Sequence, residues 1–312
     1  MNRAFIFPGQ GSQNIGMGKD FHDLQPIAKE IFQCVDDTLG YVLSDTIFNG
    51  PAEKLAITTN TQPALMATSI AILRVLQKES GKKINELCKV VAGHSLGEYS
   101  ALCAAGSLTL EDTARLLQIR ASSMQEASPQ GEGSMAACIG ISQTILQKML
   151  NDLIDKGVCQ IANDNVEGQI VISGHEYNID RIIATLKDTG YRAIKLNVSA
   201  PFHSSLMKKA ESTMQAALGS TKFAPLKVPL IANVSADSVN DTDQIKKNLV
   251  SQICGTVRWR ETMDKLADMG IYELVEIGPG RVLAGLAKKS PHDFIVHNIA
   301  SMQNLSDFLN KI

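Results

Sequence analysis

The chain has 312 residues, enough for one large domain or two unequal ones. Its 44% hydrophobic and 20% charged residues are ordinary for a soluble globular protein, and no apolar run is long enough to cross a membrane. A formal charge of −2 gives no overall attraction to nucleic acid or to an anionic membrane, leaving only local basic patches open.

Six cysteines (Cys34, Cys88, Cys103, Cys138, Cys159, Cys254) are scattered without a C-x-x-C pair, and several sit in apolar stretches. Buried reduced thiols are expected, with no zinc site. The start, "MNRAFIFPGQGSQ", reaches Pro8 too soon for a signal-peptide core, so a reducing, cytoplasmic setting is expected.

Short apolar runs alternate with longer segments of helical period, the pattern of an α/β fold with a largely parallel sheet. The first strand is "AFIF" (4–7), and the glycine-rich turn "FPGQGSQ" (7–13) follows it directly. As a phosphate loop this turn is weak, because G-x-G-x-x-G fails at Asn14. A tight turn here can instead aim the Gln10 backbone N–H at a developing oxyanion. A helix is expected over 62–79, where Ala64, Ala67, Ile70 and Leu73 recur at helical spacing.

The strand "KVVAG" (89–93) leads into Gly93-His94-Ser95-Leu96-Gly97. G-x-S-x-G between a strand and a helix is the pattern of a nucleophile elbow, with Ser95 at its tip. The helix over 109–126 opens on "TLED" and buries Leu110, Ala114, Leu117, Ala121 and Met124. Arg120 falls on the flank of that face. It either snorkels to the rim or presents a partly buried guanidinium to a planar anion such as a carboxylate.

From 133 the order changes to strand (133–141), helix (143–155), strand (158–163), strand (168–174), helix (176–188) and strand (191–198). That β-α-β-β-α-β order is a ferredoxin-like unit, read as a small subdomain (129–199) inserted into a large α/β domain (1–128 and 200–312). Just after the return, "SAPFHSSLMKKA" places His203 at a helix mouth, where the dipole disfavours the imidazolium. A serine hydroxyl needs a base. His94 adjoins Ser95 but points elsewhere at an elbow, and His22, His175, His292 and His297 lie in polar settings, so His203 is the candidate. The remaining strands are "VPLIANV" (228–234), "YELVEIG" (272–278) and "FIVHNIA" (294–300).

Taken together, "FPGQGSQ", "GHSLGEYSAL", "QIRASSMQEA", "ANDN", "GQIVISG", "FHS", "VRW" and "EIGPGRVLAGL", in this order, resemble the malonyl-CoA:acyl carrier protein transacylases of fatty-acid synthesis and the related acyltransferase domains of polyketide synthases. The resemblance implies an α/β-hydrolase-like large domain with a ferredoxin-like small one. It implies Ser95 as nucleophile, His203 as base, the N–H groups of Gln10 and Leu96 as oxyanion hole, and Arg120 as holder of the malonyl carboxylate. It also implies a main-chain carbonyl, by spacing that of Gln252, that orients His203 in place of a triad carboxylate. Leu96 and Phe202 resemble malonyl-selective members. One departure is "NVEGQ", where Glu167 stands in the place of the family's proline.

The expected reaction is ping-pong transfer of malonyl from malonyl-CoA to the phosphopantetheine thiol of holo-acyl carrier protein, with no metal or bound cofactor. Acyl carrier proteins as a class are acidic, so Lys208, Lys209, Lys288 and Lys289 are candidate docking residues, and a monomer is expected. The alternatives are a serine thioesterase or esterase of related fold, an acyltransferase of a polyketide pathway, and a non-catalytic carrier-binding protein.

Overall fold

The computed structural model describes residues 2–129, 131–198 and 200–312. Gln130, the second residue of the expected insert, and Ser199, its expected last residue, lie outside the described residues. In chain order the strands are β1 (Arg3–Phe7), β2 (Val90–Gly93), β3 (Gly133–Ile139), β4 (Cys159–Val166), β5 (Gln169–His175), β6 (Arg192–Lys195), β7 (Leu230–Ile231), β8 (Ser238–Val239), β9 (Glu273–Ile277) and β10 (Ile295–Ile299).

The large sheet has the order β10-β9-β1-β2-β7-β8, and every neighbouring pair is parallel except β7 with β8. Burial follows the two-residue period of a strand covered on both faces. Phe5, Phe7 and Val91 join the apolar core that includes the helix Thr58–Ser80 and the helix Leu110–Glu126. Ala4, Ile6, Val90 and Ala92 pack on the other side, with Trp259, Met263, Leu283 and Leu286. The long helix begins at Thr58 rather than 62, and Gly81 closes it with a left-handed φ of 66°.

The small sheet is antiparallel, with the order β4-β5-β3-β6 and the helices Gln143–Leu153 and Glu176–Asp188 between its strands. This is the arrangement expected of a split βαβ unit. It has its own apolar cluster, including Leu146, Ile172, Ile179 and Ile182.

Two expected strands are cut short. The run 228–234 pairs as a strand only at Leu230–Ile231, because Asn233 turns its backbone and side chain toward the β2 elbow. The run 191–198 pairs only over Arg192–Lys195. Leu196 to Val198 leave the strand and line a cavity between the two sheets.

β4 is longer than expected and joins the two units. Its register shifts between Ile161 and Asn163 and again between Asp164 and Val166. The bulged backbone bonds to the large unit at Val257, through Asp164 N–H to Val257 O (2.9 Å) and Val257 N–H to Ala162 O (2.8 Å). Arg260 adds an ion pair to the buried Asp164 at 2.8 Å. Among the described residues no helix is long and apolar enough to cross a membrane, and the six cysteines are free.

Candidate active site

β2 ends at Gly93, and the helix Gly97–Ala104 starts four residues on, leaving a turn with Ser95 at φ 54°. The two glycines follow from contact distances. A Cβ on Gly93 would lie 1.9 Å from Gly97 O, and one on Gly97 would lie 2.3 Å from Phe7 O. Only hydrogen fits at either place, so the helix can start hard against β1. Asn233 braces the turn: its Oδ1 accepts the Ser95 N–H (2.7 Å) and its Nδ2 donates to Gly93 O (2.7 Å).

Ser95 Oγ lies 2.7 Å from His203 Nε2, and His203 Nδ1 lies 2.8 Å from the Gln252 main-chain oxygen. A carbonyl can only accept, so the proton sits on Nδ1 and the bare Nε2 faces the hydroxyl. This is the tautomer a general base needs. The expected helix mouth is different: His203 precedes a 3₁₀ turn, Ser205–Met207, and the α-helix begins only at Lys208. Its neutrality has another main cause. Burial, and after it the Arg120 charge, push the His203 pKa down to about 3.

Arg120 is not at the rim. It is 1% exposed, and its guanidinium lies over the Tyr99 ring at 5.7 Å. Nη1 donates to Gln62 Oε1 (2.8 Å), and Nη2 donates to Gln252 Oε1 (2.9 Å) and to Ser95 Oγ (3.0 Å). Burial lowers its pKa, but a guanidinium stays charged. The Ser95 hydroxyl therefore accepts from a cation while donating to an imidazole.

These groups open on a cavity of about 330 Å³ whose lining includes Gln10, Ser95, Leu96, Arg120, Phe202 and His203. The glycine turn is pressed against the elbow, since a Cβ on Gly9 would lie 2.7 Å from His94 O. Gln10 lines the same cavity as Ser95, and Leu96 is the residue before the helix. His94 makes a structural contact instead. Its Nε2 meets Asn165 Oδ1 at 2.8 Å, which ties the elbow to the bulged β4.

Asn233, Gln62, Glu98, Asn165 and the side chain of Gln252 are in this network, and sequence reasoning missed them. Asn233 reads as part of a strand, and Glu98 as an ordinary first-turn acid of the elbow helix, yet it is 1% exposed. Lys208, Lys209, Lys288 and Lys289 are exposed and none lines the cavity; Lys208 is paired with Glu211.

A serine at the end of a parallel strand, hydrogen-bonded to a histidine and with a buried cation at its oxygen, defines a site for serine-based acyl transfer. Residues 4–306 match the acyl transferase domain family. The chain belongs to that family, in its malonyl CoA-acyl carrier protein transacylase branch. It is 46% identical over 288 residues to the malonyl CoA-acyl carrier protein transacylase of Bacillus subtilis, covering 92% of this chain and 89% of that one. The crystal structure of an acyl-carrier-protein-S-malonyltransferase from Bartonella henselae superposes with a TM-score of 0.97 at 46% identity, over 100% of this chain and 99% of that one. A malonyl-transacylase in complex with its type II polyketide acyl-carrier protein superposes at 0.96 and 36% identity, over the whole of both chains.

Proposed function

We propose that this chain transfers malonyl from malonyl-CoA to the phosphopantetheine thiol of holo-acyl carrier protein in fatty-acid synthesis, through a malonyl ester on Ser95. The observation that carries this reading is the buried Arg120 guanidinium, 3.0 Å from Ser95 Oγ. An esterase of simple acyl groups has no use for a cation there. A dicarboxylic acyl group has, because burying its free carboxylate unpaired would cost several kcal/mol, on the order of the penalty for an isolated buried ion.

His203 takes the Ser95 proton as Oγ attacks the thioester carbonyl, and Gln252 O holds the imidazole in place. The N–H groups of Gln10 and Leu96 receive the oxyanion, each contributing about 3–4 kcal/mol. The C–S bond breaks, His203 returns the proton to the CoA thiolate, and the ester remains. The carrier's thiol repeats the sequence in reverse, leaving Ser95 free. No metal or bound cofactor takes part. Phe202 narrows the space beside the malonyl α-carbon, a contact worth about 1–3 kcal/mol against a methyl branch.

The catalytic unit is 1–128 with 200–312, and 129–199 forms the small subdomain over the cavity. The carrier is acidic and docks on basic residues, with Lys208, Lys209, Lys288 and Lys289 as candidates. The enzyme works as a cytoplasmic monomer. The hydrolase alternative is set aside, because the similar proteins are transacylases by name and the family match covers most of the chain.

Intact-protein mass spectrometry tests the reading. Malonyl-CoA should add one malonyl group, absent in Ser95→Ala, that persists in buffer and leaves when holo-acyl carrier protein is added. In Arg120→Ala the malonyl adduct should be lost while acetyl loading is kept. An adduct that disappears into water without the carrier would sink the transfer reading.

A further inference from the structure

Arg120 carries its charge away from solvent, yet its three hydrogen-bond partners, Gln62, Gln252 and Ser95, are all neutral. Among the described residues no carboxylate stands within ion-pair distance of it. One buried carboxylate, Glu98, lies a single side chain further on, and that side chain is Gln252.

Gln252 Nε2 donates to Glu98 Oε2 (2.8 Å), with Ser95 O (3.0 Å) and Asn233 Oδ1 (3.3 Å) also in reach. Its Oε1 is thereby left to face Arg120. A flipped amide would set its oxygen against three acceptors and its NH₂ against a guanidinium. Glu98 is the nearest of those acceptors and the only carboxylate. The same Oε2 also accepts the Asn233 N–H (3.1 Å), and Asn233 holds the elbow.

We propose that Glu98 is a positioning residue for acyl-group selection: through the Gln252 amide it holds the Arg120 guanidinium where an acyl carboxylate is received. Because the link runs through a neutral amide, the incoming carboxylate has no resident anion to displace. This rests on the reading of Arg120 given under Proposed function and adds the device that aims it.

Glu98 Oε1 has no hydrogen-bond partner, so Glu98→Gln can keep both accepted bonds by placing its oxygen at Oε2. Glu98→Met keeps the volume and removes the acceptor. Thermal melting and the kcat and KM for loading from malonyl-CoA and acetyl-CoA are measured for both, beside Arg120→Ala. Glu98→Met should raise the KM for malonyl-CoA about tenfold, the scale of one lost hydrogen bond in a charged network, and lower the malonyl-to-acetyl preference by about the same factor. Glu98→Gln should stay within about threefold of the parent in both, on the same scale.

Parallel loss of malonyl and acetyl loading in Glu98→Met, tracking the melting temperature, would overturn the inference by making Glu98 a fold residue only. Equal damage in Glu98→Gln would overturn it by making the charge, not the link, the agent. If Glu98→Met does not fold, Gln252→Met breaks the link from its other end, and an unchanged preference there overturns the inference too. Should Arg120→Ala lose the preference while neither link variant does, only this inference fails. Should Arg120→Ala keep it, the functional reading beneath fails.

Discussion

At His203 burial outweighs every hydrogen bond. Loss of solvent is the largest influence on the imidazole and the Arg120 charge the next, both opposing a proton, while the Gln252 carbonyl favours one. With the pKa lowered from 6.5 to about 3, the folded chain binds fewer protons than the unfolded chain between those values. The group's contribution to stability is therefore whole above about pH 6.5 and is lost as pH falls toward 3. The base also stays neutral over that window. The kcat/KM for malonyl-CoA loading, which reports the free enzyme, should fall by no more than about threefold between pH 7.5 and pH 5. Burial pushes the Glu98 carboxyl up to about 7, into the same range, so a stopped-flow inflection near 6.5 contradicts a buried, neutral base only if it persists in Glu98→Gln.

At the scale of elements, the site depends on how closely β1, β2 and the elbow helix approach one another. Gly97→Ala puts a methyl 2.3 Å from Phe7 O and 2.9 Å from Pro8 O, so the helix start and the glycine turn must separate. The expected cost is about 1–3 kcal/mol of stability, with a fall in single-turnover loading of about 10²–10³, the size of one misplaced oxyanion donor. Gly285→Ala is the contrast, because a Cβ there has nothing within 4 Å. It should stabilise by about 0.4–1 kcal/mol and leave loading alone. Chemical denaturation and quenched-flow loading read both variants.

Much of this geometry was legible beforehand because apolar alternation and glycine spacing are local signals. β1, the elbow and the helix carrying Arg120 each follow from patterns within about twenty residues, and the small sheet from the succession of such elements over 133–198. What escaped is set by contacts between distant segments. Nothing near Asn233 announces that its amide braces an elbow 138 residues earlier, so "VPLIANV" reads as strand to its end. Glu98 fills the place of a helix-opening acid, and nothing near it in sequence shows that it is buried against Gln252 and Asn233. The residues 196–198 look like the end of a strand but line the cavity instead. On its helix alone Arg120 stays open between rim and pocket, since the two differ only in what stands opposite.

For the molecule as a whole, β4 ties the small sheet to the large unit, and the cavity lies between the units. Its lining includes Met135, Asn163 and Leu196 on one side and Gln10, Ser95 and Arg120 on the other. Asp164 is the charged part of the link. Burial raises its pKa despite the pull of Arg260, so desolvation outweighs the pair. Arg260→Ala should cost about 2–4 kcal/mol, below the usual figure for a buried pair because Arg260 is partly exposed. Adding Asp164→Asn should restore most of that loss, since the stranded charge goes with it. Urea unfolding of the single and double variants decides, and no recovery in the double variant would show that the bulge hydrogen bonds, not the charges, carry the link.

Ser95 at φ 54° and His203 at φ 58° share with Ala236 (φ 53°) a backbone region that residues with side chains seldom enter. Strain at such positions is typically about 1–3 kcal/mol each, and glycine relieves it. At Ser95 the side chain given up would be a single hydroxymethyl, whereas His203 also fills buried space that a glycine would leave empty. A library of variants selected for heat resistance alone would drift toward glycine at 95, gaining melting temperature as it loses the reaction. Directed evolution of this chain therefore has to screen for turnover in every round, because robustness and catalysis pull that codon in opposite directions.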